Sequence, residues 1–128
     1  MQFGLTWNST RPDTLDGNLV ATNVKSSARH LSGKPVIIPL DVSGQPLATS
    51  HAVTLEAQIP GYFEVPPGGR ARALVTWSWW DGTETSSHVR IKWPGCEVDT
   101  HVTGPTHPEQ PRSDHLAVTS SSWWQLAD

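Results

Sequence analysis

Apolar and polar residues alternate along most of this chain in short runs, and Pro or Gly interrupts the runs at intervals of roughly eight to twelve residues. Side chains on a pleated strand point to opposite faces in turn, so this period predicts half-buried strands; no helical stripe emerges. Asn18 to Val24, after the turn pair Asp16-Gly17, reads as a strand. In Lys34 to Leu40 the apolar Val36, Ile38 and Leu40 alternate, while Pro35 and Pro39 occupy the other parity. Proline donates nothing to a ladder, so this segment is predicted at a sheet edge. Val53, Leu55, Ala57 and Ile59 share one face of a further strand, and the turns Pro60-Gly61 and Pro66 to Gly69 bracket Tyr62 to Val65. In Arg70 to Trp80, alternation groups Ala73, Val75, Trp77 and Trp79 on an apolar face and leaves Leu74, Thr76, Ser78 and Trp80 on a mixed one.

The strongest local signal is a hairpin about Pro94-Gly95. Setting Trp93 against Cys96 pairs Lys92 with Glu97, Ile91 with Val98, Arg90 with Asp99, Val89 with Thr100 and His88 with His101. Opposite charges then meet on one face and apolar or β-branched residues on the other, and a slip of one residue destroys both matches. Proline fixes φ against a primed two-residue turn, which leaves a bulge or a longer loop open as alternatives. Thr106 to Asp114 is a polar, proline-bearing loop, and Leu116 to Trp124 is a final strand. The segments add up to an all-β fold of about seven to nine strands, expected as an antiparallel β-sandwich. Residues 1–16 are expected to be an N-terminal arm or edge segment, 17–124 a single domain and 125–128 a tail.

Composition narrows the partners. The chain has 128 residues and a formal net charge of −3, so it carries no basic footprint for nucleic acid or anionic lipid. No apolar run reaches the roughly eighteen residues of a membrane-spanning helix. Met1 to Trp7 lacks the basic region and apolar core of a signal peptide. The single cysteine, Cys96, has no partner for an internal disulfide and reads as a hairpin-turn thiol. A reducing cytosol, an oxidising space and a trimmed leader or anchor all stay open.

Seven tryptophans against two phenylalanines and one tyrosine are the compositional anomaly. Trp77, Trp79 and Trp93 fall on core parity, where indoles fill the interior and their N–H groups seek a carbonyl. Trp80, Trp123 and Trp124 are the candidate ligand-binding residues, since exposed indoles stack on sugar rings or on apolar groups of a protein partner; core filling is the competing account for them. Trp7 is unplaced. The hairpin register puts His88 beside His101, close enough to share Zn²⁺ or Cu²⁺ if a third ligand such as His51 arrived, but no HxH or HExxH spacing supports a site. Solvated surface histidines are the plainer account, so neither a metal nor another cofactor is expected. No GxSxG, Cys–His pair or identifiable carboxylate pair is present, and no enzyme activity is expected.

Taken in order, Leu19 to Asn23, Arg29 to Pro35, Gly44 to Leu47, Val65 to Ala71 and Val75 to Ser78 resemble an Ig-like β-sandwich domain of unknown function found in secreted proteins and lipoproteins of actinobacteria. Trp79 to Gly82, Lys92 to Gly95, Val102 to Pro105 and Ser121 to Trp123 are similar to its Trp-rich subgroup. The resemblance implies an extracytoplasmic or secreted location and no assigned reaction. It also implies that His30 and Asp81 stand where the family often carries bridging cysteines, so the two are expected in polar contact or simply exposed. Together these readings predict a non-enzymatic domain that binds a protein or cell-envelope ligand through its tryptophans. A structural subunit of a virion or cell-surface assembly and a carbohydrate-binding module are the alternatives, and self-association is left undetermined.

Overall fold

The computed structural model describes residues 1–32, 34–51, 62–93, 96–112, 116–122 and 124–127. Among them are eleven strands and no helix: β1 (Gln2–Arg11), β2 (Thr14–Thr22), β3 (Arg29–Ser32), β4 (Val36–Asp41), β5 (Thr49–His51), β6 (Tyr62–Val65), β7 (Arg70–Ser78), β8 (Thr85–Trp93), β9 (Cys96–Thr103), β10 (Ala117–Ser121) and β11 (Gln125–Ala127). One large sheet runs β4-β8-β9-β1-β2-β7-β10-β5, with β11 also on β7, and β3 pairs with β6 in a small second sheet. The strand expected at Val53 to Ile59 lies outside the described residues.

The all-β prediction holds. The sheet is not antiparallel throughout, however: β1 runs parallel to β9, and β5 parallel to β10. Residues 2–11, expected as an arm or edge, form a strand hydrogen-bonded on both sides, and residues 125–127, expected as a tail, pair with Arg70 to Arg72. Gly17 is not a turn residue either. It sits in β2 opposite Trp7, where a Cβ would lie 2.5 Å from the Thr6 carbonyl and 2.8 Å from the indole. Glycine in mid-strand admits that close approach.

Local pattern explains β7, β8 and β9, but in β4 it is Pro35, Ile37 and Pro39, with Leu40, that are buried, while Val36 and Ile38 of the expected apolar parity are half-buried. The β8–β9 hairpin has the matched register, from His88 opposite His101 to Trp93 opposite Cys96. Arg90 donates to Asp99 at 2.7 and 3.2 Å on the outer face, while Val89 and Ile91 are buried on the inner one. In β7 the residues Ala71, Ala73, Val75 and Trp77 are buried, as the alternation predicts, and the indole of Trp77 meets that of Trp7 at 6.4 Å. The alternation fails at Trp79, which leaves the strand with φ at 66°.

The proline-marked β4 lies at one end of the sheet order, as predicted, and the curved sheet brings it back against β10, so the sheet is nearly closed. Pro35 and Pro39 remove two N–H donors from this edge, whose carbonyls at 35, 37 and 39 are met individually. Leu47 N–H donates to Pro39 O at 2.9 Å, the Thr119 hydroxyl to Ile37 O at 2.9 Å, and the Ser121 hydroxyl to Pro35 O. Closure is therefore made by buried hydroxyls where a backbone ladder would need donors. His51 Nδ1 lies 3.3 Å from the Thr119 oxygen, and burial, reinforced by Lys34, holds the His51 pKa below its ordinary value. Neutral His51 suits this place. As pH falls below 6.5 the unfolded chain takes up the proton first, so the His51 contribution makes stability fall with pH.

Replacing Thr119 with valine keeps the shape and removes the donor to Ile37 O. An unpaired buried carbonyl costs about 1–3 kcal/mol, so the urea midpoint of Thr119→Val is expected to fall by that amount of stability. A loss under about 0.5 kcal/mol would show that the hydroxyl contributes nothing to closure.

Candidate functional site

The loop after β7 builds one side of a surface groove. Trp79 enters the left-handed region and donates its N–H to Asp13 O at 3.0 Å, which turns the chain away from the sheet and frees Trp80 from strand parity. Asp81 Oδ1 accepts Thr83 N–H at 2.9 Å, and Gly82 completes the turn with φ at 94°. Those Thr83 hydrogen bonds hold the Asp81 carboxyl below the usual carboxylate range. Trp80 is half-buried and fixed at both ends: its Nε1 donates to Thr83 O at 2.7 Å, and its carbonyl accepts Arg112 N–H at 2.6 Å.

The loop after β9 supplies the second wall. His107 stacks on Trp80 with ring centroids 4.0 Å apart and planes 18° from parallel. Its Nδ1 lies 2.7 Å from Pro108 O, and since a carbonyl only accepts, Nδ1 is the donor in this contact. Gln110 N–H donates to Pro12 O at 2.8 Å, and Arg112 lies 3.6 Å from Asp13, so the loop is tied to the β1–β2 turn. Between these loops lies an open groove of about 250 Å³ lined by Trp80, His107, Val42, Glu84, Thr85 and Thr106. Val42 is 63% exposed. Indole, isopropyl, the Thr106 hydroxyl and the Glu84 carboxylate suit a ligand group with one apolar face and a few polar substituents, while the Thr85 hydroxyl oxygen is buried.

Trp80 is thus placed on the surface, but it does not join Trp124. Trp123 lies outside the described residues. Trp124 is corrected outright: it is 6% exposed, tilts against Phe3 at 6.3 Å and belongs to the core. Its sequence parity misleads because the register along β7 slips by one residue between Ser121, opposite Val75, and Gln125, opposite Arg72, which inverts the alternation. Trp80 follows the end of β7, whereas β11 pairs with the start of β7, which places Trp80 and Trp124 at opposite ends of that strand. The indole N–H groups of Trp77 and Trp124 have no partner, contrary to the expectation that core indoles find a carbonyl. Trp7, unplaced by sequence, is a core residue at 1% exposure.

His88 and His101 meet edge to face, with centroids 5.1 Å apart, while His51 is engaged with Thr119 on β10. No group of three or more His, Cys, Asp or Glu converges among the described residues. His30 lies 3.9 Å from Glu64, Asp81 is bound to Thr83, and both are exposed. Sequence gave no means of joining His107 to Trp80, since the two are brought together by separate loops.

The fold and groove define a class: an all-β protein with an aromatic groove carried on loops at one end of a nearly closed sheet. Comparison with known proteins adds no relative to that class, since no family model, no curated protein and no solved structure matches the chain.

Proposed function

We propose that this chain is a non-enzymatic, Ig-like β-sandwich domain that works outside the cytoplasm and binds a protein or cell-envelope ligand in the groove at Trp80. The observation that carries the reading is the immobilised indole. Hydrogen bonds at Nε1 and at the Trp80 carbonyl, together with the His107 stack, fix the ring before any ligand arrives. A preorganised aromatic wall lowers the entropy lost on binding. The groove volume of about 250 Å³ accommodates one sugar ring or one large side chain, not an extended substrate. Glu84 is the single carboxylate among its described lining residues, so the paired acids of glycoside hydrolysis are not assembled there. The secreted location rests on the resemblance to the actinobacterial domain alone.

Binding is tested by titrating cell-wall glycan fragments and envelope proteins while following tryptophan fluorescence. A saturable change is expected in the unmodified chain, weakened about tenfold or more in Trp80→Ala, because aromatic anchors at binding sites contribute about 2 kcal/mol. A response that survives Trp80→Ala intact would place the ligand elsewhere.

A further inference from the structure

We propose that His88 and His101 form a two-histidine surface site for one borderline divalent transition-metal ion, Zn²⁺, Ni²⁺ or Cu²⁺, that staples β8 to β9. The two residues are direct cross-strand partners at the end of the hairpin register, and both are exposed. Directly opposed residues place their Cβ atoms about 5 Å apart. Two imidazoles held on one tetrahedral ion at about 2.0–2.1 Å per nitrogen have ring centroids roughly 5.2 Å apart. The observed separation is 5.1 Å. The rings stand at 83°, so one of them must turn about χ2 for both nitrogens to face a common point, a motion that exposed side chains make readily.

The surroundings leave room for the ion and the waters that complete its shell. In the neighbouring strand, Leu5 faces Val102, which places Gly4 beside His101, and nothing lies within 4 Å of a Cβ built on Gly4. Asp99, two positions from His101 on the same face, is occupied by Arg90 at 2.7 and 3.2 Å. It contributes negative charge near the site without serving as a ligand. Neutral imidazole suits Zn²⁺, Ni²⁺ and Cu²⁺ and not Mg²⁺, which sets the selectivity.

An ion that binds the folded hairpin more tightly than the unfolded chain raises the unfolding midpoint as its concentration rises. The test follows that midpoint in the full chain carrying Cys96→Ser, which removes its single thiol, during titration with NiCl₂, ZnCl₂ or MgCl₂. A rise with nickel and zinc but not magnesium is expected. His88→Gln and His101→Gln should each weaken it about tenfold or more, and His30→Gln should leave it unchanged. In NMR spectra, nickel should broaden signals of β8 and β9 around these two residues. An unchanged midpoint up to millimolar metal, or an effect that persists in both histidine variants, overturns the proposal.

Discussion

A single methyl group added at Gly104 is expected to lower stability by about 3 kcal/mol or more, because left-handed strain and steric overlap each contribute about 1–3 kcal/mol. Gly104 has φ at 88°, and a Cβ there would lie 2.2 Å from the Trp7 carbonyl oxygen. That oxygen cannot retreat easily. Trp7 is locked in β1 between β2 and β9, and its indole is packed against Trp77. Urea unfolding of Gly104→Ala measures the loss, and Gly4→Ala, with open space around it, is the neutral comparison. If the two variants unfold within about 1 kcal/mol of each other, the Trp7 contact is not the constraint described above.

The second large effect is expected at Asn23, whose side chain is fully buried and fully bonded. Its Nδ2 donates to Ser27 O at 2.9 Å and to Val65 O at 3.0 Å, with Pro66 O at 3.3 Å, while Oδ1 accepts Lys25 N–H at 3.0 Å. Its backbone N–H and carbonyl pair with Gly69 O and Gly68 N–H, so one residue pins the end of β2 to the β6–β7 turn. Asn23→Asp is nearly isosteric but turns a carboxylate oxygen toward carbonyl oxygens, and about 3–5 kcal/mol of stability should be lost at neutral pH. Burial and those carbonyls would raise the carboxyl pKa in the folded state above the unfolded value of about 3.9. The variant should therefore come closest to the unmodified chain below about pH 4 and fall behind as pH rises through the folded pKa. Parallel urea titrations at acidic and neutral pH check both the size and the sign. A deficit independent of pH would mean that the carboxylate has reached water.

These sites also mark what could be read from the sequence. The β8–β9 register was legible because every cross-strand pair was chemically matched, and β4 was legible as an edge because Pro35 and Pro39 share one parity. In β1, Phe3, Leu5 and Trp7 alternate with polar or small residues, a signal that the arm reading passed over. Gly17 and Gly104 were opaque for another reason. Each serves a contact with the Thr6–Trp7 backbone or the Trp7 ring, and only the third dimension brings those partners close. Trp80 lies beyond the end of β7, so strand parity, which ends at Ser78 and Ser121, fixed neither its position nor its His107 wall.

The hydroxyl-bridged closure of the sheet has a kinetic meaning. Thr119 and Ile37 are 82 positions apart in the chain, and Ser121 and Pro35 are 86 apart, whereas β1–β2 and β8–β9 pair strands that follow each other directly in sequence. Loop-closure entropy makes the local hairpins the early structures and the distant join a late one. Contacts that form after the rate-limiting barrier slow unfolding without speeding folding. Loss of the Thr119 hydroxyl is therefore expected to raise the unfolding rate and leave the folding rate nearly unchanged, which makes the two small hydroxyls a latch on the lifetime of the native state that stopped-flow unfolding of Thr119→Val can measure.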